Sequence, residues 1–256
     1  MFFWLAILQG LCEFLPISSS AHLWFLPWFF KIPYQGLLID VVFHLATLFA
    51  LLFYFRKEFG RILLNFWQKP LPLFNNELIL LLLATFPAGV LGWFFREGIE
   101  KYLRSPFLIA FNSAFFGLLL IYAHYYSSIR SSLDFKKALF VGCAQALSLA
   151  PGVSRSGITY TAGRLMGLSP LQSFRFSMLL SVPTILGASF LEMPDFLKAE
   201  KVVFFLPYFF LSFIVGLFAI FLFQKLIKSR SGILFVGTYR IFLSMIIILL
   251  ALKISK

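Results

Sequence analysis

The feature that most constrains this chain is a set of long runs that contain no charged residue. Each run approaches or exceeds the roughly 20 residues that an α-helix needs to cross the hydrocarbon core of a membrane. The runs are apolar on every face, whereas the strands of membrane β-barrels alternate apolar and polar side chains. Their backbone groups must therefore bond within helices, which predicts an all-α, polytopic membrane protein. The runs cover residues 78–95, 107–129, 138–154, 176–191 and 202–224.

The composition supports the same class of fold. Of the 256 residues, 61% are hydrophobic and 12% are charged, and that charged share is about half of what a soluble domain carries. The net charge of +12 does not indicate nucleic acid as a partner, because the basic residues form short clusters between the apolar runs, as the cytoplasmic anchors of membrane proteins do. No basic segment precedes Phe2, so a removable signal peptide is not expected.

The pattern predicts about six spans in a single membrane domain covering residues 1–256. Two further hydrophobic stretches, 1–30 and 135–167, are broken in the middle by Pro, Gly and Ser residues, at 16–20 and 151–157. Neither is expected to run through as one helix. The predicted spans are 37–55, 77–95, 106–126, 170–191, 202–224 and 232–252.

The two broken stretches resemble each other. Gln9 is followed by Pro16 and a serine run, as Gln145 is followed by Pro151 and Ser154. We therefore expect two re-entrant hairpins in an inverted repeat, with halves at about 1–126 and 127–256. Inverted repeats place broken helices at the membrane midplane, where the N-termini of half-helices bind anions. The alternative is that Pro and Gly only kink ordinary helices.

The first break is flanked by groups that can carry out phosphate chemistry. Gln9 and Glu13 lie four residues apart, on one face of a helix, and Ser18, Ser19 and His22 follow the break. A carboxylate can hold a divalent cation, an imidazole can act as a general base, and a hydroxyl can attack or bind phosphate. An ionisable group inside an apolar stretch indicates a functional site by default.

The second break supplies a fixed positive charge. Arg155 offers planar donors that match phosphate oxygens, and it lies on a glycine-containing loop. Ser154, Ser156 and Thr159 add hydroxyl groups near the start of the following helix, where the helix dipole favours an anion. Together these residues predict a site that holds a pyrophosphate.

These two motifs, from Gln9 to His22 and from Pro151 to Gly157, resemble the bacterial undecaprenyl pyrophosphate phosphatase family of the bacitracin-resistance type. Weaker similarity at 40–48, 87–92 and 142–151 extends the resemblance over most of the chain. It implies hydrolysis of undecaprenyl pyrophosphate to the monophosphate, which recycles the lipid carrier of cell-wall precursors and confers bacitracin resistance. It also implies a divalent cation, Mg²⁺ or Ca²⁺, and a site on the outer side of the bacterial plasma membrane.

Residue by residue, the resemblance assigns two sets of positions. Glu13, which also binds the metal, Ser19, His22 and Arg155 fall on catalytic positions, and substrate-binding positions are taken by Gln9, Ser18, Ser154, Ser156 and Thr159. Some family members carry glutamate at the position of Gln9. Since an amide cannot supply a second negative charge, Glu13 is expected to be the principal acidic ligand of the cation.

Two mechanisms remain open at this stage. In one, Ser19 attacks the terminal phosphorus and His22 takes its proton; in the other, a metal-bound water attacks with His22 as the base. The main rival function is a lipid-phosphate flippase, because secondary transporters also build midplane sites from paired broken hairpins. A non-catalytic scaffold is the third class. A homodimer is among the assemblies that the sequence allows.

Four further residues have less certain roles. Asp40 and His44 share a helix face and could support the site or pair with each other. Arg164 is expected to be a membrane anchor or to contact lipid headgroups. Arg240 lies inside the last apolar run, so it must find an acceptor within the bundle, and a structural role is favoured.

Overall fold

The computed structural model describes residues 2–19, 21–22, 37–68, 76–127, 132–197, 202–229 and 231–254, and its regular elements are all helical. This confirms the predicted all-α class. In chain order the helices are α1 (Phe2–Phe14), α2 (Leu37–Tyr54), α3 (Arg56–Gln68), α4 (Glu77–Tyr102), α5 (Pro106–Tyr126), α6 (Phe135–Ala146), α7 (Arg155–Leu165), α8 (Pro170–Leu197), α9 (Leu206–Lys228) and α10 (Gly232–Ile254).

Five helices of the described chain are long and apolar enough to cross a membrane, and they lie within α4, α5, α8, α9 and α10. The predicted span at 37–55 appears as the apolar helix α2, which has 18 residues. The protein is therefore a multi-pass membrane protein. The span predicted from residue 202 begins later, because Val202–Phe205 forms a 3-10 turn and α9 starts at Leu206. Pro207 lies in the first turn of α9, where its missing N–H is not needed.

Both predicted interruptions are present. The helix of the first broken stretch, α1, ends at Phe14, and in the second stretch α6 ends at Ala146 and α7 begins at Arg155. The expected return of the first hairpin falls on residues 23–30, which lie outside the described residues.

The helices pack in pairs that suit the expected repeat. The half-helix α1 lies against α9, and the half-helix α6 lies against α4; α5 packs on α10, and α2 packs on α8. Small residues permit two of these approaches, since a Cβ on Gly10 would lie 2.9 Å from the carbonyl oxygen of Ser212, and one on Gly142 would lie 2.6 Å from that of Ala84. The inverted repeat itself stays a prediction.

Apolar side chains form the interior and also much of the exterior. Phe14, Leu51, Tyr160 and Met178 are fully buried members of one large core cluster. Many other aromatic side chains are exposed, such as Phe190, which has a relative exposure of 75%. Outward-facing aromatic side chains are expected where lipid replaces water around the protein.

Arg164, near the turn between α7 and α8, donates its hydrogen bonds to protein groups. Arg164 is 3% exposed and donates to the carbonyls of Leu168, His124 and Ser127. The expectation that Arg164 contacts lipid headgroups is therefore wrong, because its guanidinium satisfies carbonyls at the end of α5 and at the turn before α8.

Candidate active site

The two helix breaks end in the same local structure. Ser18 and Ser154 have φ angles of 73° and 70°, in the left-handed region that costs a non-glycine residue about 1–2 kcal/mol. The Ser154 hydroxyl accepts a hydrogen bond from the backbone N–H of Gly157 at 3.3 Å, and the Ser18 hydroxyl accepts one from Ala21 at 3.4 Å. Each serine thus caps the N-terminus of the helical segment that follows its break.

The second break is held against α5. Asn112 donates its side-chain amide to the carbonyl of Pro151 at 2.9 Å. Gly152 has a φ angle of 94°, and a Cβ there would lie 2.5 Å from the carbonyl oxygen of Ile109. Only glycine fits this conformation and this approach, so the loop position is set by α5.

Arg240 joins both breaks from α10. Its side chain is fully buried, and it donates to the carbonyl of Pro16 at 3.2 Å in the first break. It also donates to the carbonyls of Gly152 at 2.8 Å and Val153 at 2.9 Å in the second break, and to Ser113 at 3.2 Å. The expectation that Arg240 finds its acceptors inside the bundle is confirmed.

Ser156 links the two breaks directly. Its hydroxyl donates to the carbonyl of Leu15 at 3.1 Å and lies 3.3 Å from the hydroxyl of Ser154. Both serines were predicted to bind phosphate. In this structure their hydroxyls already bond to protein groups, so their clearest contribution is to hold the breaks together.

Thr159 faces the neighbouring helix. It is 1% exposed, and its hydroxyl donates to the carbonyl of Arg155 at 2.8 Å and lies 2.6 Å from the hydroxyl of Ser177 in α8. These contacts fix α7 against α8. They differ from the phosphate contact that the sequence suggested for Thr159.

Glu13 is the centre of the site. Its carboxylate is 7% exposed and accepts hydrogen bonds from Gln9 at 2.9 Å, Ser19 at 3.3 Å and Arg155 at 2.5 Å. The Nε2 atom of His44 lies 3.7 Å from the same carboxylate. A buried carboxylate is costly unless it is paired and hydrogen-bonded, and these four neighbours from three parts of the chain provide that pairing.

Two buried polar atoms beside Glu13 lack a hydrogen-bond partner among the described residues. They are Oε1 of Gln9 and Nη1 of Arg155. Since buried polar groups are nearly always paired, an unpaired acceptor and an unpaired donor in side chains bonded to the same carboxylate indicate a ligand-binding site. The donor suits a phosphate oxygen, and the acceptor suits a cation or a water molecule.

His22 makes no hydrogen bond to Ser19. Its Nδ1 atom lies 2.8 Å from the carbonyl oxygen of Ser18, and its Nε2 atom lies 2.7 Å from the hydroxyl of Tyr239. The imidazole is 7% exposed. The predicted Ser19–His22 pair is thus not formed in this structure, where Ser19 donates to Glu13 instead.

Sequence reasoning missed Tyr239 and Asn112. Both belong to apolar runs where tyrosine and asparagine are ordinary, and their partners are distant in sequence. The position of Tyr239 beside Arg240, a buried charge, was the only available signal. His44 joins the site, whereas the side chain of Asp40 lies outside the described part of the chain.

The donor atoms fit a hard divalent cation. Carboxylate, amide and hydroxyl oxygens are the ligands that Mg²⁺ and Ca²⁺ prefer, and Mg²⁺ is commonly held by one or two carboxylates together with substrate phosphates. Glu13, the free Oε1 of Gln9 and the hydroxyl of Ser19 supply such oxygens. Among the described residues, no group of three or more His, Cys, Asp or Glu side chains is placed to hold a metal ion.

The sequence of the chain is similar to those of a known protein family. A family model described as "Bacitracin resistance protein BacA" matches residues 2–246. An undecaprenyl-diphosphatase of Elusimicrobium minutum (strain Pei191) is 44% identical over 250 residues, which cover 97% of this chain and 96% of that protein. An undecaprenyl-diphosphatase of Moorella thermoacetica is 39% identical over 95% of this chain and 94% of its own length. Undecaprenyl-diphosphatase 2 of Stutzerimonas stutzeri is 42% identical, with 96% of each chain covered.

Proposed function

The chain belongs to the BacA family of bacitracin resistance proteins, and from that premise we propose that it is an undecaprenyl-diphosphatase. It hydrolyses undecaprenyl pyrophosphate to undecaprenyl phosphate and inorganic phosphate. The reaction recycles the lipid carrier for cell-wall synthesis and gives resistance to bacitracin. Relatives that carry the diphosphatase name match this chain over nearly its whole length.

One observation carries the proposal. Glu13 of the first break and Arg155 of the second are joined at 2.5 Å, and the partnerless donor of Arg155 and acceptor of Gln9 flank this pair. A diphosphate needs positive charge and donors for its oxygens, together with oxygen ligands for its counter-cation. The paired breaks provide both in a buried place.

The side chains divide the work of binding. Arg155 donates to the terminal phosphate, and the N-terminus of α7, capped by Ser154, adds the positive end of its dipole. Glu13 and Gln9 would hold the cation, which would supply positive charge to offset the negative charge on the transferring phosphoryl group. Because phosphoryl transfer depends mainly on positioning and charge stabilisation, these contacts account for most of the catalysis.

The attack on the terminal phosphorus comes from the Ser19 hydroxyl or from water. In both routes the attacking oxygen forms a bond to phosphorus, the bridging P–O bond breaks, and undecaprenyl phosphate leaves. The attacking oxygen gives up its proton, for which His22 is the proposed acceptor. The routes differ in one species, a phosphoserine at Ser19, which mass spectrometry of the quenched enzyme would detect.

The test is phosphate release from undecaprenyl pyrophosphate by the purified protein in detergent, with a divalent cation or with a chelator. We expect cation-dependent release that falls at least 100-fold in Glu13→Gln and Arg155→Ala, because each loses a charge at the reacting centre. Glu58→Gln is the matched control, since Glu58 also pairs with an arginine, Arg175, at 2.5 Å, away from the breaks. Full activity in Glu13→Gln, or none in folded wild type, would overturn the proposal.

We further propose that the protein lies in the bacterial plasma membrane with the site facing outward. The test adds the substrate outside sealed, right-side-out vesicles. Phosphate release under these conditions would support the outward orientation, and release only after permeabilisation would contradict it. A homodimer remains a separate proposal that light scattering of the detergent-solubilised protein tests. Substrate crossing without hydrolysis would favour the flippase.

A further inference from the structure

The imidazole of His22 is held at both of its nitrogens. The carbonyl oxygen of Ser18 can only accept a hydrogen bond, so Nδ1, at 2.8 Å, must carry a hydrogen. In a neutral imidazole the other nitrogen then has a lone pair and accepts. The Tyr239 hydroxyl, 2.7 Å from Nε2, is therefore the donor to that nitrogen.

The geometry of Tyr239 matches this role. Its ring is nearly parallel to that of His22, with an angle of 4° and centroids 5.9 Å apart. The ring packs against the apolar cluster that contains Ile109 and Leu243. The next residue, Arg240, binds the carbonyls of both breaks, so the position of Tyr239 on α10 is fixed relative to the turn that carries His22.

A hydroxyl is well suited to a histidine that changes charge. When the imidazole is neutral, the Tyr239 O–H donates to Nε2; when it is protonated, Nε2–H donates and the tyrosine oxygen accepts. The partners stay the same in both states. Phenylalanine would leave Nε2 without its partner in either state.

We propose that Tyr239 is a positioning residue that keeps His22 in the Nδ1–H tautomer, with the lone pair on Nε2. A proton released by the attacking oxygen reaches Nε2 by way of the Tyr239 hydroxyl, which gives its own hydrogen to Nε2 and accepts the released one in exchange. This inference rests on the proposed function. Hydrogen-bond partners that orient metal-ligating histidines contribute about 10- to 100-fold to activity, and we expect an effect of the same order where the histidine exchanges a proton. The role is distinct from that of Arg240, which binds only backbone carbonyls.

The experiment compares Tyr239→Phe, His22→Ala and the double variant in detergent, with undecaprenyl pyrophosphate as the substrate. Tyr239→Phe is expected to lower kcat by about 10- to 100-fold and to leave KM within about twofold, because the proposed phosphate ligand is Arg155 and not Tyr239. If Tyr239 acts through His22, the double variant is no slower than His22→Ala.

Tyr54→Phe is the matched control, since the Tyr54 hydroxyl also makes a partly buried side-chain hydrogen bond, to Gln224 at 2.8 Å. Thermal unfolding of both phenylalanine variants separates a loss of folding from a loss of function. Wild-type rates in Tyr239→Phe, or additive losses in the double variant, would overturn the inference. Inactivity of folded wild type would instead refute the proposed function.

Discussion

Replacing Arg240 by methionine should destabilise the whole protein. The guanidinium is fully buried, and four donations, to Ser113, Pro16, Gly152 and Val153, disappear together. A buried carbonyl left without a donor costs about 1–3 kcal/mol. Removal of the buried charge returns part of the desolvation penalty, so we expect a net loss of about 3–5 kcal/mol, toward the low end of the four carbonyl costs taken together.

The assay is thermal unfolding in detergent. For a chain of this size, each kcal/mol corresponds to about 2–4 °C, so the midpoint of Arg240→Met should fall by roughly 6–20 °C. Arg240→Lys keeps the charge and some donors, so its unfolding midpoint should lie between those of wild type and Arg240→Met. Arg56→Met is the control, because exposed Arg56 makes one hydrogen bond, to the Phe53 carbonyl. If Arg240→Met unfolds within about 2 °C of wild type, the assignment of Arg240 as the link between the breaks is wrong.

Two smaller predictions concern helix packing and charge. Gly142→Ala should lower the free energy of unfolding by about 1–3 kcal/mol, since the new Cβ would lie 2.6 Å from the Ala84 carbonyl oxygen. Gly89→Ala is the control and should be neutral or stabilising, because nothing lies within 4 Å of a Cβ there. Equal unfolding midpoints for the two variants would contradict the close approach at Gly142. The Lys137 side chain donates to Asp134 and lowers the pKa of that carboxyl. The pair therefore adds to the free energy of unfolding above the ordinary carboxyl pKa of about 4, and this stabilisation is lost on acidification. The unfolding midpoints of wild type and Asp134→Asn should therefore differ at pH 7 and converge as the pH falls through the lowered pKa of Asp134, and a constant gap would contradict the role of the charge.

The helices were largely predictable because the signal for a membrane span is local. The starts of α4, α5, α8 and α10 match the predicted spans, since each follows a change from polar to apolar residues. The amphipathic helix α3 was not predicted, because its basic residues resembled a loop between spans. Its Arg56 and Trp67 are exposed, while Ile62 packs inward.

The site was predictable only in part. Motif residues that are close in sequence, such as Gln9, Glu13 and Ser19, were correctly placed together. The contacts of His22 were not, because Tyr239 lies at the opposite end of the chain and in a run whose composition gives no sign of it. Which hydroxyls face a ligand and which face protein depends on helix packing that local sequence does not encode, as Thr159 shows.

Arg240 fastens the two breaks through main-chain carbonyls alone. Every residue type presents the same carbonyl, so this attachment does not depend on the side chains of the breaks, except at Gly152, where only glycine fits. A protein engineer could therefore randomise headgroup-facing positions to seek selectivity for other prenyl phosphates without rebuilding the scaffold. The same independence would let related enzymes diverge in substrate preference while they inherit one frame.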